Sequence, residues 1–141
     1  MKEGKLDWGF FAVRIILGAM FFLAGLGKFL MVQKVGNAGI ATMIGNIGFP
    51  VPGIFAWILI FSELIFGLLL IIGWKTKYIV WPLIIILAVA TLGVLIPGAV
   101  KSGGDIFRIL SSNLFFHILG IAVLVLLFLR GPGKIALDKK E

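Results

Sequence analysis

The sequence predicts an all-α integral membrane protein, a four-helix bundle with a short interfacial helix between its first and second spans. Of its 141 residues, 61% are hydrophobic and 13% are charged, and the mean hydropathy is +1.19. A soluble domain of this length carries far more polar and charged residues. Four apolar segments are each long enough to cross a bilayer whose hydrocarbon core is about 30 Å thick. We therefore expect one transmembrane domain over residues 1–141, embedded in the lipid bilayer.

The first span is predicted from about Trp8 to Val32. Within it, five residues at steps of four and three share one helix face that includes two cations and two glycines: Arg14, Gly18, Phe21, Gly25 and Lys28. Because lipid disfavours both cations, this face should point into the bundle. We expect Lys28 to lie near the outer interface, where its ammonium group reaches water.

A glycine-rich stretch from Gln33 to Gly48 separates the first two spans. It is too weakly hydrophobic to cross the bilayer, and it predicts a short interfacial or re-entrant helix over about Val35 to Ile47, ended by Gly48. Pro50 and Pro52 then fit the first turn of the next helix, where the missing amide donor costs nothing.

The second span, about Val51 to Trp74, contains a carboxylate inside the membrane, and the main functional question is what this group contacts. Glu63 lies near its middle, and a charge at that depth costs about 3 kcal/mol on insertion scales, so it is normally paired, protonated or used. Gly67 is one turn further on the same face and leaves room for a neighbouring helix or a ligand.

The third span is predicted from about Tyr78 to Pro97 and the fourth from about Leu110 to Leu129. Pro82 falls in the first turn of the third span, where proline is tolerated, and Thr91 lies near mid-depth. The fourth span carries a polar face at steps of four and three, formed by Asn113, His117 and Gly120.

Basic residues are distributed unequally between the two sides of such a bundle. One side has Lys2, Lys5, Lys75, Lys77, Arg130, Lys134, Lys139 and Lys140, whereas the other has only Lys34, Lys101 and Arg108. The positive-inside rule then places both termini in the cytoplasm of a multi-pass protein of the cell membrane. The net charge of +7 fits such cationic flanks better than it fits nucleic-acid binding, so we expect no nucleic-acid partner.

The polar residues of three spans are predicted at compatible depths. With a rise of about 1.5 Å per residue, Arg14 lies ~9 Å from Trp8, and Glu63 lies ~15 Å from Gly73. We therefore expect Arg14 to pair with Glu63 and His117 to lie just beyond them. The candidate ligand-binding residues are Arg14, Glu63, Asn113 and His117, and the candidate cavity-lining residues are Gly18, Gly67, Thr91 and Gly120.

Each of these residues also has a structural interpretation. Arg14 and Glu63 can form an ion pair that only locks the first two helices together. For Asn113 and His117, an interhelical hydrogen bond is favoured over proton transfer. The glycines are expected to serve helix packing rather than phosphate binding, since neither a Walker A motif nor a dinucleotide fingerprint is present.

Composition excludes several kinds of site. The chain has no cysteine, which excludes disulfides, thiolate metal sites and dithiol redox chemistry. Its single histidine cannot build a haem or copper site alone. We therefore expect no metal centre and no covalently bound cofactor.

Several runs of the sequence resemble the DoxX family of membrane proteins. They are the run from Arg14 to Phe29, the glycine-rich segment ending Gly48-Phe49-Pro50, the run from Glu63 to Gly73, and the closing segment from Gly131 to Asp138. The resemblance implies a four-helix membrane protein related to the DoxD and DoxA subunits of archaeal thiosulfate:quinone oxidoreductase. Nothing in this chain resembles a thiosulfate site, so a partner would have to supply one.

The leading hypothesis is a membrane subunit that binds a lipophilic quinone, or couples a partner oxidoreductase to the quinone pool. Quinone carbonyls need donors such as Arg14 or His117, and reduction needs protons that Glu63 and His117 can relay. One alternative is a non-catalytic scaffold or assembly factor. A small-solute transporter is disfavoured because repeated halves are absent. Glycine-bearing faces also allow a homo-oligomer, and whether the protein is an enzyme stays open.

Overall fold

The computed structural model describes residues 3–101, 103 and 113–138. In this part of the chain the secondary structure is helical. The elements are α1 (Glu3–Val35), α2 (Ala38–Asn46), α3 (Pro52–Ile72), α4 (Thr76–Ala90), a π-helical turn (Thr91–Leu95), α5 (Ile96–Lys101) and α6 (Leu114–Arg130). The chain is thus an all-α membrane bundle, as its composition predicts.

Within the described residues, three helical stretches are long and apolar enough to cross a membrane: Asp7–Val35, Pro52–Ile72 and Thr76–Lys101. They correspond to the first three predicted spans. The third is longer than expected at both ends, since it continues past Pro97 to Lys101 and begins at Thr76. Because α4 starts at Thr76, Pro82 lies in its second turn rather than its first. The shorter apolar helix α6 occupies most of the predicted fourth span, whose expected start at Leu110 lies outside the described residues.

Helices α1 and α3 pack antiparallel at very short range, and glycines make this possible. A Cβ atom added at Gly67 would lie 2.5 Å from the backbone nitrogen of Phe22, and one added at Gly18 would lie 2.9 Å from the carbonyl oxygen of Gly67. Further along α1, a Cβ at Gly25 would lie 2.8 Å from the backbone nitrogen of Leu64. Small residues at such positions let two helix backbones come into contact. In a bilayer, where there is no hydrophobic driving force between helices, van der Waals contacts of this kind favour their association.

Helix α2 confirms the predicted short helix between the first two spans. Its residues Ile40 and Ile44 are buried against Val32 of α1 and against Ala56 and Ile60 of α3. This cluster covers the end of the α1–α3 pair that lies away from the α3–α4 turn. Pro52 opens α3 in the first turn, as predicted, whereas Pro50 lies before the helix and not in its first turn.

Helices α4 and α6 form the second antiparallel pair. A Cβ at Gly120 would lie 2.9 Å from Cδ1 of Leu87, and His117 contacts Thr91 one turn further along. Buried side chains from all four long helices, including Leu17, Leu70 and Leu124, join the two pairs near the α3–α4 turn.

The π-helical turn Thr91–Leu95 precedes Pro97 in the same continuous helical stretch. Proline lacks an amide hydrogen, and its ring collides with the carbonyl four residues earlier, here that of Gly93. The wider turn relieves this conflict, and the backbone N–H of Ile96 bonds instead to the carbonyl of Thr91, five residues back. Thr91 therefore sits at a local irregularity, which in helices is often a functional position.

Candidate functional site

The pairing predicted for Arg14 is wrong. Its guanidinium is fully buried and donates hydrogen bonds of 3.0 Å to the carbonyl oxygen of Pro132 and 2.9 Å to that of Ile135. Both acceptors belong to the closing segment, residues 131–138, which follows α6. Arg14 thus holds the closing segment against the first helix instead of meeting Glu63.

The closing segment makes further backbone contacts with the start of α1 and with the α3–α4 turn. Both lie at the end of the bundle that is predicted to face the cytoplasm. The N–H of Lys134 donates to the carbonyl of Asp7 at 3.2 Å, and the N–H of Asp138 donates to that of Gly73 at 2.9 Å. The Asp138 carboxylate accepts from the backbone N–H groups of Lys75 and Thr76, the latter at 2.7 Å, and so caps α4. A side chain at Gly133, where φ is +76°, would collide with the carbonyl of Asp7.

Glu63 pairs with Lys28, which was expected to reach water. Lys28 Nζ lies 2.6 Å from Oε2 and 2.9 Å from Oε1 of Glu63, so the ammonium group contacts both carboxylate oxygens. The Glu63 side chain is 7% exposed and that of Lys28 is 30% exposed. The pair therefore gives the carboxylate near the middle of α3 a counter-charge, which offsets part of the cost of burying it there.

The register of α1 against α3 explains why Arg14 does not meet Glu63. The predicted depths place Trp8 level with Gly73, whereas in the structure α1 begins at Glu3 and Arg14 lies level with Gly73, where an added Cβ would overlap the guanidinium. The offset of six residues is about 9 Å. Gly25 then lies beside Glu63, and Lys28, one turn beyond, reaches back toward it along the N-terminal tilt of helical side chains.

His117 forms an interhelical hydrogen bond, as the structural interpretation of this residue predicts. Its Nδ1 lies 3.2 Å from Oγ1 of Thr91, and Thr91 Oγ1 donates to the carbonyl of Leu87 at 2.7 Å. Thr91 itself is buried, whereas His117 is partly exposed. The bond ties α6 to the π-helical turn that follows α4.

A cavity of about 600 Å³ lies between the two helix pairs. Most of its wall is apolar, with contributions from α1, α2, α3, α4, the π-helical turn and α6. Its polar wall residues are Lys28, Ser62, Glu63, Asn113 and His117. The apolar lining residues Met20, Ile58, Ile85 and Phe116 are at least half exposed, so in the described part of the chain the cavity opens to the surface of the bundle.

The cavity brings together some of the predicted site residues and leaves others outside. Glu63, Asn113, His117 and Gly120 line it, whereas the helix contact occupies the space at Gly18 and Gly67, and Thr91 lies behind His117. Arg14 does not line it. Lys28 and Ser62 are polar cavity residues that the sequence did not predict, although the position of Lys28 on the Arg14–Gly25 face was a signal that could have identified it.

Comparisons with known proteins give one result. The family model described as DoxX matches residues 9–96, which is more than half of the chain. The match covers the Lys28–Glu63 pair and Thr91 and ends before His117 and the closing segment. Neither the curated proteins nor the solved structures give a match.

Proposed function

Because this chain belongs to the DoxX family, we propose that it binds a lipophilic quinone in its bundle as the membrane subunit or partner of an oxidoreductase. The observation that carries the proposal is the cavity of about 600 Å³, which combines apolar walls with the Lys28–Glu63 pair and His117. Ligand sites of roughly 300–1,000 Å³ with this division between apolar walls and a few polar groups are typical of small-molecule binding.

The shape of the cavity suits a ring with a hydrocarbon tail. Apolar side chains such as Phe21, Leu59 and Leu87 would surround the ring. The tail would leave past Met20 or Phe116, which line the cavity and are exposed at the surface of the bundle. A ligand of this kind can enter from the bilayer without crossing water.

The polar groups suit the oxygens of such a ring. The ammonium group of Lys28 has three N–H donors and uses two on the Glu63 carboxylate, so one is available for a ligand oxygen. His117 provides a second polar group on the wall, supplied by α6. Electrons would come from a partner subunit, as the relation of the family to a thiosulfate:quinone oxidoreductase implies.

Location in the cell membrane with both termini in the cytoplasm belongs to the same proposal. The backbone of Asp7 and that of Lys134 are hydrogen-bonded, so the two ends of the described chain lie on one side of the bundle. The excess of basic residues on that side supports its assignment to the cytoplasm.

Purification in mild detergent, followed by lipid extraction and mass spectrometry, tests the proposal. We expect co-purified quinone in the native protein and its loss in Ala24→Phe, because Ala24 lines the cavity and a benzyl group there would take up space that the ligand ring needs. Ala12→Phe is the matched control, since Ala12 is exposed on the same helix and does not line the cavity. Equal quinone content in the two variants would overturn the proposal.

A non-catalytic scaffold is the second candidate, and one observation favours it. Three of the residues first assigned to a ligand site, Arg14, Gly18 and Gly67, serve packing instead. A stable partner protein recovered with no quinone, and retained by Ala24→Phe, would support the scaffold over the quinone site.

A further inference from the structure

The hydroxyl hydrogen of Thr91 is already committed within its own helix. Thr91 Oγ1 lies 2.7 Å from the carbonyl oxygen of Leu87 and 3.2 Å from His117 Nδ1. A carbonyl oxygen can only accept, and a hydroxyl has one hydrogen to give. Thr91 therefore donates to Leu87, and its oxygen accepts the hydrogen that His117 carries on Nδ1.

This arrangement assigns the tautomer of the neutral His117 ring. With the hydrogen on Nδ1, the other ring nitrogen, Nε2, has a free lone pair and acts as an acceptor. His117 lines the cavity whereas Thr91 does not. Among the described residues, the ring of His117 contacts Thr91 and is also hydrogen-bonded to the backbone of Leu87. The Leu87 carbonyl oxygen is itself bonded to Thr91 Oγ1, so both partners lie on the Nδ1 side of the ring and Nε2 is left for a ligand.

The Lys28–Glu63 pair adds mostly acceptors to the same wall. One N–H of Lys28 is left after the two contacts with Glu63, whereas the two carboxylate oxygens together keep further lone pairs. Ser62 and Asn113 also line the cavity, but a hydroxyl and an amide can each donate or accept and so favour neither kind of ligand.

We propose that the cavity prefers the reduced, hydroquinone form of its ligand, whose hydroxyl donates to His117 Nε2 while its second oxygen accepts from Lys28. A quinone has only acceptor oxygens and would leave His117 Nε2 facing another acceptor. A hydroquinone has two hydroxyl groups that serve as donors and acceptors together. This inference rests on the proposed function and identifies which redox form the site binds.

The test compares three probes that share one decyl-substituted ring: the quinone, the hydroquinone and the dimethyl ether of the hydroquinone. The ether keeps the shape and oxygens but removes both hydroxyl donors. Calorimetric titrations use the full-length protein in detergent without oxygen, with protein-free micelles as the blank. We expect the hydroquinone to bind about tenfold more tightly than either other probe, the effect of one hydrogen bond made or lost.

Variants at Thr91 test whether the preference for hydroquinone depends on the tautomer of His117 or only on the shape of the cavity. Thr91→Val keeps the branched side chain but removes the acceptor that fixes the Nδ1 hydrogen, so the preference for hydroquinone should fall to about threefold or less. Thr91→Ser restores the hydroxyl and should restore the preference.

The outcomes distinguish the two proposals. If none of the three probes binds above the micelle blank, the proposed function fails and this inference falls with it. If the quinone binds as tightly as the hydroquinone, or if the ether does, the quinone site stands and the preference is overturned. A preference that survives unchanged in Thr91→Val overturns the role of His117.

Discussion

Lys28 Nζ lies 2.6 and 2.9 Å from the two carboxylate oxygens of Glu63, and the contact joins α1 to α3 near the middle of α3. The ion pair lies next to the close glycine contacts between these helices, since Gly25 on α1 lies beside Glu63 itself. Close backbone packing and the ion pair therefore favour the same alignment of α1 along α3. The pair also forms part of the cavity wall, so a structural contact and a candidate ligand contact share the same two side chains.

We predict that Lys28 and Glu63 are energetically coupled. Lys28→Met and Glu63→Leu should each destabilise the protein, because each leaves one charge without its partner in a low-dielectric interior. The double variant should lose less than the sum, with a coupling of about 1–3 kcal/mol. Thermal unfolding of the four proteins in detergent measures this difference.

The matched control uses Arg14, whose guanidinium bonds to Pro132 and Ile135. The losses in Arg14→Leu and Glu63→Leu should add within about 0.5 kcal/mol, as they do for independent sites. Coupling between Arg14 and Glu63 as large as that between Lys28 and Glu63 would contradict the arrangement.

Gly67→Ala should destabilise the bundle by about 1–3 kcal/mol, the usual cost of overpacking a tight contact. The new Cβ would lie 2.5 Å from the backbone nitrogen of Phe22, which cannot move aside as a flexible side chain can. Gly27→Ala is the control, since nothing lies within 4 Å of its Cβ position. There the higher helix propensity of alanine should stabilise α1 by up to about 1 kcal/mol, and equal losses in the two variants would exclude the packing explanation.

Arg14→Leu should release the closing segment from the bundle. The variant removes the two hydrogen bonds to the carbonyls of Pro132 and Ile135. Amide hydrogen exchange at Lys134 and Asp138, whose N–H groups bond to Asp7 and Gly73, should then accelerate by at least about tenfold. Arg130→Leu, at an exposed position just before the segment, should leave these rates unchanged.

Reporter fusions test the orientation of the bundle. Fusions after Trp74 and Glu141 should report the cytoplasm, and those after Gln33 and Gly103 should report the opposite side, because the basic residues concentrate at the first pair of positions. An external signal at Glu141 would reverse the orientation without altering the fold.

The sequence was sufficient for the fold because hydropathy, glycine and proline act locally. Helix α2 and the Pro52 start of α3 follow from residues within a few positions of them. The partners of Arg14 and Glu63 depended instead on the relative shift of two helices. That shift is set by the contacts of Gly18 with Gly67 and of Gly25 with Leu64. These contacts depend on how two helix surfaces fit together, which the spacing of residues along one helix does not specify.

The bond between Thr91 and His117 shows a similar limit within the candidate site. Both residues were singled out as polar positions of separate spans, but the π-helical turn changes the rotation of the chain from Thr91 onward. Pro97 is the sequence signal for that irregularity. The sequence predicts that the helix ends at Pro97, whereas in the structure the helix continues past Pro97 to Lys101, and the π-helical turn accommodates the proline.

The bonds from Arg14 to carbonyls 118 and 121 positions later have a consequence for biosynthesis. At about 5–20 residues per second, a ribosome needs roughly 6–24 s to reach those acceptors after it has made Arg14. Until then the guanidinium of Arg14 on the first helix lacks its two carbonyl acceptors, those of Pro132 and Ile135. Insertion of the first helix therefore precedes the formation of these bonds, which can form only after Pro132 and Ile135 have left the exit tunnel.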